Sequence, residues 1–313
     1  MEIFKFGGAS VKDANGVRNF LSTLQKLDEK EVLIVISAMG KMTNAFEDLV
    51  STYFEEETQI SIQVDQLIQF HLEIIKDLGF SEESNIANEI ESIFTDISVF
   101  FEKNKSRDYD YVYDQIVSKA EFLSTKICSA FLLEKGLPNQ WLDVRSCIKT
   151  NSDFRRASID WEQTTMEIQK RVDRSGITIT QGFIGSDNFG KTTTLGREGS
   201  DYTAGIFAYC LNASEVSIFK DVPGVLNADP REFEKTTLIE EISYREAIEM
   251  AFYGASVIHP KTLQPLQRKG IPLRVRSFLD PDKKGTYVGS ELDISPKIPC
   301  YIVKKNQILI SIS

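Results

Sequence analysis

Apolar and β-branched residues cluster in short runs, each followed by a helical pattern or a glycine turn. Residues 1–6 alternate apolar and polar before Gly7-Gly8, and 31–37 (EVLIVIS) is a continuous apolar run. Such a run fits a strand covered on both faces. Residues 176–184 (GITITQGFI), 215–219 (EVSIF) and 271–278 (IPLRVRSF) are further predicted strands. Strands alternating with helices predict an α/β domain with a mostly parallel sheet.

Residues 45–130 follow a different pattern. Val64, Leu67, Ile68, His71, Ile75 and Leu78 fall on one helical face, as do Ile90, Ile93, Phe94, Ile97 and Phe101. The spacing predicts a helical insertion, with His71 at the edge of its core rather than acting as a ligand. Between 45 and 110 stand 16 acidic residues against 4 basic ones, more than the whole chain's net charge of −10. These charges read as solvated outer helix faces, which leaves the remainder near neutral.

The 313 residues are enough for one large domain or two ordinary ones. No run of about 18 apolar residues is present, and the opening MEIFKFGG lacks the apolar core of a secretory signal. An acidic chain without a basic stripe is a poor nucleic-acid binder. The expectation is a cytoplasmic protein that acts on small molecules, with no membrane or nucleic-acid partner. Cys128, Cys147, Cys210 and Cys300 stand far apart and read as small core residues. With only His71 and His259 in the chain, a Ser-His-Asp triad or a histidine-built metal site is nearly excluded, and no metal-ligating cluster is expected. Chemistry must rest on Lys, Arg, Asp, Glu, hydroxyls and backbone amides.

Residues 185–192 (GSDNFGKT) match the phosphate-binding pattern G-x-x-x-x-G-K-[ST] letter for letter. That mechanism needs a helix to begin at the Lys-Thr pair. Here three threonines follow and then Gly196 and Gly199, which suits a strand and a hairpin loop. The next helix is expected at YTAGIFAYCL, capped by Ser200 or Asp201. The P-loop reading is therefore rejected.

Three other constellations carry chemistry. In Lys5-Phe6-Gly7-Gly8-Ala9-Ser10, paired glycines after a strand can turn backbone amides toward an anion, and Lys5 adds a point charge. In Gly196-Arg197-Glu198-Gly199-Ser200-Asp201, a helix start favours an anionic group and Arg197 has the fork that grips a carboxylate. Residues 220–231 (KDVPGVLNADPR) leave a strand through a Pro-Gly turn, at the kind of strand end where α/β sheets collect ligands.

Taken together, these segments resemble the aspartate kinases of the amino-acid-kinase superfamily. The matching stretches are KFGGASV at 5–11, VISAMGKMTN at 35–44, AEFLS at 120–124 and WLDVR at 141–145. GFIG and TTTLGREGSDYTA within 182–204, FKDVPGVLNADPR at 219–231 and ISYREAIEMAFYGASVIHPKTLQPL at 242–266 continue the match. The resemblance implies a three-layer αβα sandwich with a mainly parallel sheet. It further implies phosphoryl transfer from ATP to L-aspartate, giving 4-phospho-L-aspartate for lysine, threonine and methionine synthesis, with Mg²⁺ accompanying ATP.

By the same resemblance, Lys5, Gly7, Gly8 and Ser10 hold the transferring phosphoryl group, and Asp201 orients Lys5. Ser37, Thr43, Glu121, Arg197 and Ser200 position aspartate, with Arg197 on its α-carboxylate and Glu121 near its ammonium. Lys220, Asp221, Leu226, Arg231, Ser256 and Val257 occupy nucleotide-contacting positions. The chain departs from the family at three of these: Ser256 stands where Lys is usual, Leu226 where Tyr is common, and Lys220 where Thr is common. A related kinase with another acceptor and a weakly catalytic binding module are the alternatives, and a homodimer is one option for assembly. Residues 1–290 are expected to form the catalytic domain, with a turn-rich stretch at 280–289. Residues 298–313 read as strand, turn, strand, of which 307–313 (QILISIS) resembles the first strand of an ACT regulatory domain cut short.

Overall fold

The computed structural model describes residues 1–28, 30–255, 258–290, 298–305 and 308. Among them, ten strands and nine α-helices follow one another along the chain. The strands are β1 (Glu2–Phe6), β2 (Val32–Ile36), β3 (Asn139–Leu142), β4 (Ile177–Gln181), β5 (Ile184–Ser186), β6 (Thr192–Thr194), β7 (Val216–Lys220), β8 (Glu241–Ser243), β9 (Leu273–Ser277) and β10 (Thr286–Gly289). The helices are α1 (Ala14–Leu27), α2 (Met42–Glu55), α3 (Ile60–Leu78), α4 (Ile86–Lys103), α5 (Tyr109–Glu134), α6 (Trp161–Arg171), α7 (Gly199–Leu211), α8 (Tyr244–Tyr253) and α9 (Pro260–Lys269).

Eight strands form one sheet in the order β3-β4-β2-β1-β7-β9-β10-β8, and every neighbouring pair except β9–β10 runs parallel. Alternation along the central strands sends side chains to two cores. Phe4, Phe6, Val32, Ile34 and Ile36 face the core built with α1 to α5. Ile3, Leu33 and Val35 face the other, with Ile168 of α6, Phe207 of α7 and Leu263 of α9. Apolar cores on both faces explain why 31–37 carries no alternation in its sequence. The expected three-layer αβα arrangement with a mainly parallel sheet is the observed one.

Three features differ from the sequence reading. The single strand expected over 176–184 is two, broken at Phe183, whose φ of 72° is incompatible with a strand. The Phe183 amide donates to Thr203 Oγ1 (3.0 Å), which turns the chain onto α7 and starts the β5–β6 hairpin. The turn-rich stretch 280–289 contains β10, which fills the sheet between β9 and β8. Helix α7 begins at Gly199 after Glu198 (φ 52°), so Ser200 and Asp201 lie inside its first turn rather than at the cap, and the Glu198 carboxylate accepts from the His259 amide (2.8 Å) instead of capping the helix.

Residues 45–130 fold as α2 to α5, with the apolar faces of α3 and α4 buried as the spacing predicts. His71 lies deeper than the edge position expected. It is fully buried, its Nδ1–H donates to the Leu67 carbonyl (2.7 Å), and Nε2 has no partner. Near the C-terminus, the Tyr301 amide donates to the Asn227 carbonyl (2.7 Å). The strand expected over 307–313 lies outside the described residues, Ile308 excepted. No helix among the described residues is long and apolar enough to cross a membrane.

Burial lowers the His71 pKa from 6.5 to about 4, against the raising effect of its backbone hydrogen bond. The unfolded chain therefore takes up a proton first as pH falls, and stability is lost between about pH 6.5 and 4 at up to ~1.4 kcal/mol per pH unit. A His71→Phe variant is expected to lose about 2 kcal/mol less than the wild type between pH 7.5 and 5. Urea denaturation at the two pH values measures it; equal losses would exclude His71 as a source of the acid sensitivity.

Candidate active site

Parallel pairing puts the carboxyl ends of β1, β2 and β7 at one edge, with Phe6 level with Ile36 on one side and Phe219 on the other. Lys5, Ser37 and Lys220 therefore emerge side by side without any long-range search by their loops. The amino end of α7 closes the same edge. A cavity of about 490 Å³ opens there, lined by Lys5, Ser37, Thr43, Glu121, Arg197, Ser200, Asp201 and Lys220 among others. All eight of these were expected at the site from the sequence.

The glycines after β1 have separate steric reasons. A Cβ on Gly8 would come within 2.5 Å of the Ala38 carbonyl oxygen, so the β1 and β2 loops can touch only if this residue lacks a side chain. Their contact is fixed by the Gly40 amide donating to the Gly8 carbonyl (2.9 Å). A Cβ on Gly7 would lie 3.4 Å from Lys5 Nζ. The Ser10 hydroxyl donates to the Gly7 carbonyl (2.6 Å) and is buried beneath the loop, so it braces the turn in this structure.

Asp201 is the electrostatic centre. Its carboxylate is 3% exposed and lies 2.7 Å from Lys5 Nζ through Oδ1 and 3.4 Å from Lys220 Nζ through Oδ2. Burial alone would push this carboxyl up, but the two ammonium groups outweigh it and hold the pKa below the usual carboxylate range. The carboxylate is thus a fixed anion on which two cations converge, and it aims Lys5 from α7 across the sheet edge.

Glu121, at the middle of α5, is in the opposite condition. It is 2% exposed, and burial pushes its pKa up to about 8 despite nearby Lys5 and a hydrogen bond from the Ala38 amide. Its Oε2 is buried with no hydrogen-bond partner. A buried, unpartnered carboxyl oxygen at a cavity wall is costly unless a ligand completes it. A cationic donor is the ligand that would satisfy it best.

The remaining expected residues lie elsewhere. Asp221 is exposed in the turn after β7, and Leu226 forms a bridge with Leu238. Arg231 is exposed and grips Asp229 with a fork, Nη2 to Oδ2 at 2.7 Å and Nε to Oδ1 at 3.0 Å. That grip, with the Arg231 amide also donating to Oδ1 (2.9 Å), holds the Asp229 carboxyl down to about 2. None of these three lines the cavity, and Ser256 and Val257 lie outside the described residues. The rejection of the P-loop holds: β6 follows Lys191, and Asp187 closes the loop by accepting from the Lys191 amide (2.8 Å).

Sequence reasoning missed Tyr113, Arg155, Phe183, Thr194 and Glu198, which also line the cavity. One signal was available for part of this group. Asp114 stands seven residues, two helical turns, before Glu121 and so on the same face of the helix, and a buried acid there requires partners.

The comparisons with known proteins agree with this geometry. The Amino acid kinase family model matches residues 1–277. The chain is similar to the lysine-sensitive aspartokinase 3 of Escherichia coli (strain K12), 37% identical over 99% of this chain and 69% of that protein. It is also similar to aspartokinase 1, chloroplastic, of Arabidopsis thaliana, 31% identical over 98% of this chain and 55% of that protein. Among solved structures, E. coli aspartokinase III in complex with aspartate and ADP superposes with a TM-score of 0.86 at 36% identity, over 94% of this chain and 65% of that one. The chain thus spans between about half and two thirds of the length of these relatives. With its fold, its cavity and these matches in agreement, the chain belongs to the amino acid kinase family, on its aspartokinase branch.

Proposed function

We propose that this chain transfers the γ-phosphoryl group of ATP to the side-chain carboxylate of L-aspartate, giving 4-phospho-L-aspartate and ADP. The observation that carries the reading is the one cavity in which Lys5 and Lys220 converge on buried Asp201 and which Arg197 and the unsatisfied Glu121 also line. In the transfer a carboxylate oxygen bonds to the γ-phosphorus, and the bond to the β–γ bridging oxygen breaks with its electron pair leaving on ADP.

The acceptor carboxylate is already ionised at pH 7, so the step needs no general base. The obstacle is repulsion between two anions. Two like unit charges about 4 Å apart repel by about 4 kcal/mol at an effective dielectric of ~20. Lys5, aimed by Asp201, offsets that repulsion at the transferring group, and fixed positioning supplies much of the remaining acceleration. The Arg197 fork suits the α-carboxylate of aspartate, and Glu121 suits its ammonium. On this reading Gly7, Gly8 and the segment carrying Asp221, Leu226 and Arg231 serve the nucleotide.

No group of three acidic, histidine or cysteine side chains that could hold a metal occurs among the described residues, and Asp201 is committed to two lysines. The described residues offer no protein cage for Mg²⁺, which on this reading would arrive as part of the substrate, carried on the phosphates of ATP. The reading assigns the chemistry to the cytoplasm. It takes residues 1–290 as the kinase domain and 291–313 as the start of an ACT-like domain, a division supported by the resemblance of 307–313 to such a strand.

Aspartate-dependent ADP release with MgATP, with the acyl phosphate trapped by hydroxylamine, tests the reading directly. No turnover with aspartate would overturn it. Lys5→Ala is expected to lower kcat by about two to three orders of magnitude, the scale seen when one preorganised transition-state donor is removed. Lys191→Ala, in the hairpin loop, is expected to leave turnover within about twofold, since it is an exposed change remote from the reacting groups.

The raised pKa of Glu121 gives a second check. Below about pH 8 the empty site holds this carboxyl protonated, and binding an ammonium requires its charged form. Aspartate binding near pH 7 should therefore release a proton, and kcat/KM for aspartate should rise with pH toward 8. Calorimetry in buffers of different ionisation enthalpy reads the proton. Glu121→Gln is expected to abolish both the proton release and the pH dependence, and a variant that kept them would refute the assignment.

A further inference from the structure

We propose that Asp114 is a positioning residue for substrate recognition, clamping the chain segments on either side of the Gly196-Arg197 turn so that Arg197 faces the cavity. The proposal rests on the aspartate kinase reading above. Asp114 is fully buried on α5, and its carboxylate makes three hydrogen bonds outside its own helix. Oδ2 accepts from the Thr194 amide (2.8 Å) and from the Arg155 amide (3.0 Å), while Oδ1 accepts from the Thr194 hydroxyl (2.7 Å).

Both anchored residues bear on the turn. Thr194 ends β6, three residues before Arg197. The Arg155 carbonyl oxygen lies against Gly196, 3.3 Å from where a Cβ would stand, and Gly196 itself has a φ of 78°. The Ala157 amide donates to the Thr194 carbonyl (3.0 Å), so the 155–157 segment and the end of β6 are tied twice. Arg155 also holds φ 64°, a conformation that costs a non-glycine residue free energy and persists only when its surroundings enforce it. The Asp114 bond to its amide is that enforcement.

The Arg155 side chain is held separately and leaves the amide to Asp114. Its guanidinium stacks 4.4 Å from the Tyr113 ring centre, lies 3.2 Å from Asp110 and 3.7 Å from Glu47. An apolar residue at 114 would pack α5 without the desolvation cost that an acid carries. Burial outweighs the three hydrogen bonds and raises this carboxyl to about 6, so the clamp keeps its charge at neutral pH. The arrangement is explained by what it holds in place, three residues from the guanidinium that would grip the substrate.

The test is steady-state kinetics on Asp114→Asn and Thr194→Val beside the wild type, with thermal midpoints recorded. Asn matches the shape of Asp but meets a backbone N–H with an amide group, and the loss of a hydrogen bond to a charged group predicts about a tenfold rise in KM for aspartate. KM for ATP and kcat should stay within about threefold, because the reacting groups are untouched. Thr194→Val removes one of the three bonds and should raise KM for aspartate about threefold with the same split.

An unchanged KM for aspartate in Asp114→Asn, or equal losses in both KM values and kcat, would overturn the clamp. Should Asp114→Asn fail to fold, Thr194→Val decides, and an unchanged KM for aspartate there overturns it. A wild type without aspartate-dependent turnover would remove the kinase reading and the clamp together, whereas a wild type that turns over beside variants of normal KM removes the clamp alone.

Discussion

A carboxylate buried between two ammonium groups is the interaction on which the site depends. Asp201 is held from β1 by Lys5 and from β7 by Lys220, while its own backbone opens α7. Removing one partner from a buried ion pair typically costs about 3–5 kcal/mol, because the remaining charge is left without compensation. The triad therefore fixes the helix relative to the sheet edge as well as placing two cations beside the cavity. An apolar contact could provide the first without the second. A charged cluster in this place suits the reading in which the cavity receives an anion.

The sheet makes that triad geometrically available. In a parallel pair both chains leave at the same edge, and with Lys5 level with Ile218 the register puts Lys220 two residues further along the adjacent strand and on the same face of the sheet. β2, on the other side of β1, delivers Ser37 and then Thr43 at the start of α2. The tight approach of the Gly8 loop to the Ala38 carbonyl then leaves the β1 turn open to a phosphate rather than filled by a side chain. Strand order, two glycines and one acidic residue account for most of the cavity floor.

Legibility in the sequence followed the range of the interaction. The continuous apolar run at 31–37 disclosed a strand buried on both faces, and the helical spacing in α3 and α4 disclosed their packed sides, because both signals are local. The Gly-Gly and Gly-Arg segments were legible as anion sites because backbone chemistry is written in consecutive residues. The letter match at 185–192 misleads for the same reason: Lys191 has the right neighbours and the wrong element after it. Phe183, Arg155 and Glu198 were not legible, since each has a positive φ set by a partner far along the chain. The depth of His71 was missed because one helical face cannot report how much is stacked above it.

The helical layer combines an acidic exterior with a ligand-facing interior, and the two are compatible on electrostatic grounds. Solvated charges on outer faces are screened over about 10 Å at 0.1 M salt, so the acidic excess between 45 and 110 is weak at the cavity. Groups at the cavity wall are screened far less, and there Lys5, Lys220 and Arg197 set the local potential, while Arg155 is paired with Asp110 and Glu47. A chain of net charge −10 can therefore receive two anionic substrates, provided its few cations are held in place. Asp201 does this for Lys5 and Lys220 through charge, while α5 places the unpartnered Glu121 carboxyl at the cavity, where on the proposed reading it is the counterpart to a substrate cation. Recognition of a zwitterionic amino acid needs both signs of charge at fixed separation, and the two come from opposite layers of the sandwich, α5 on one side of the sheet and α7 on the other.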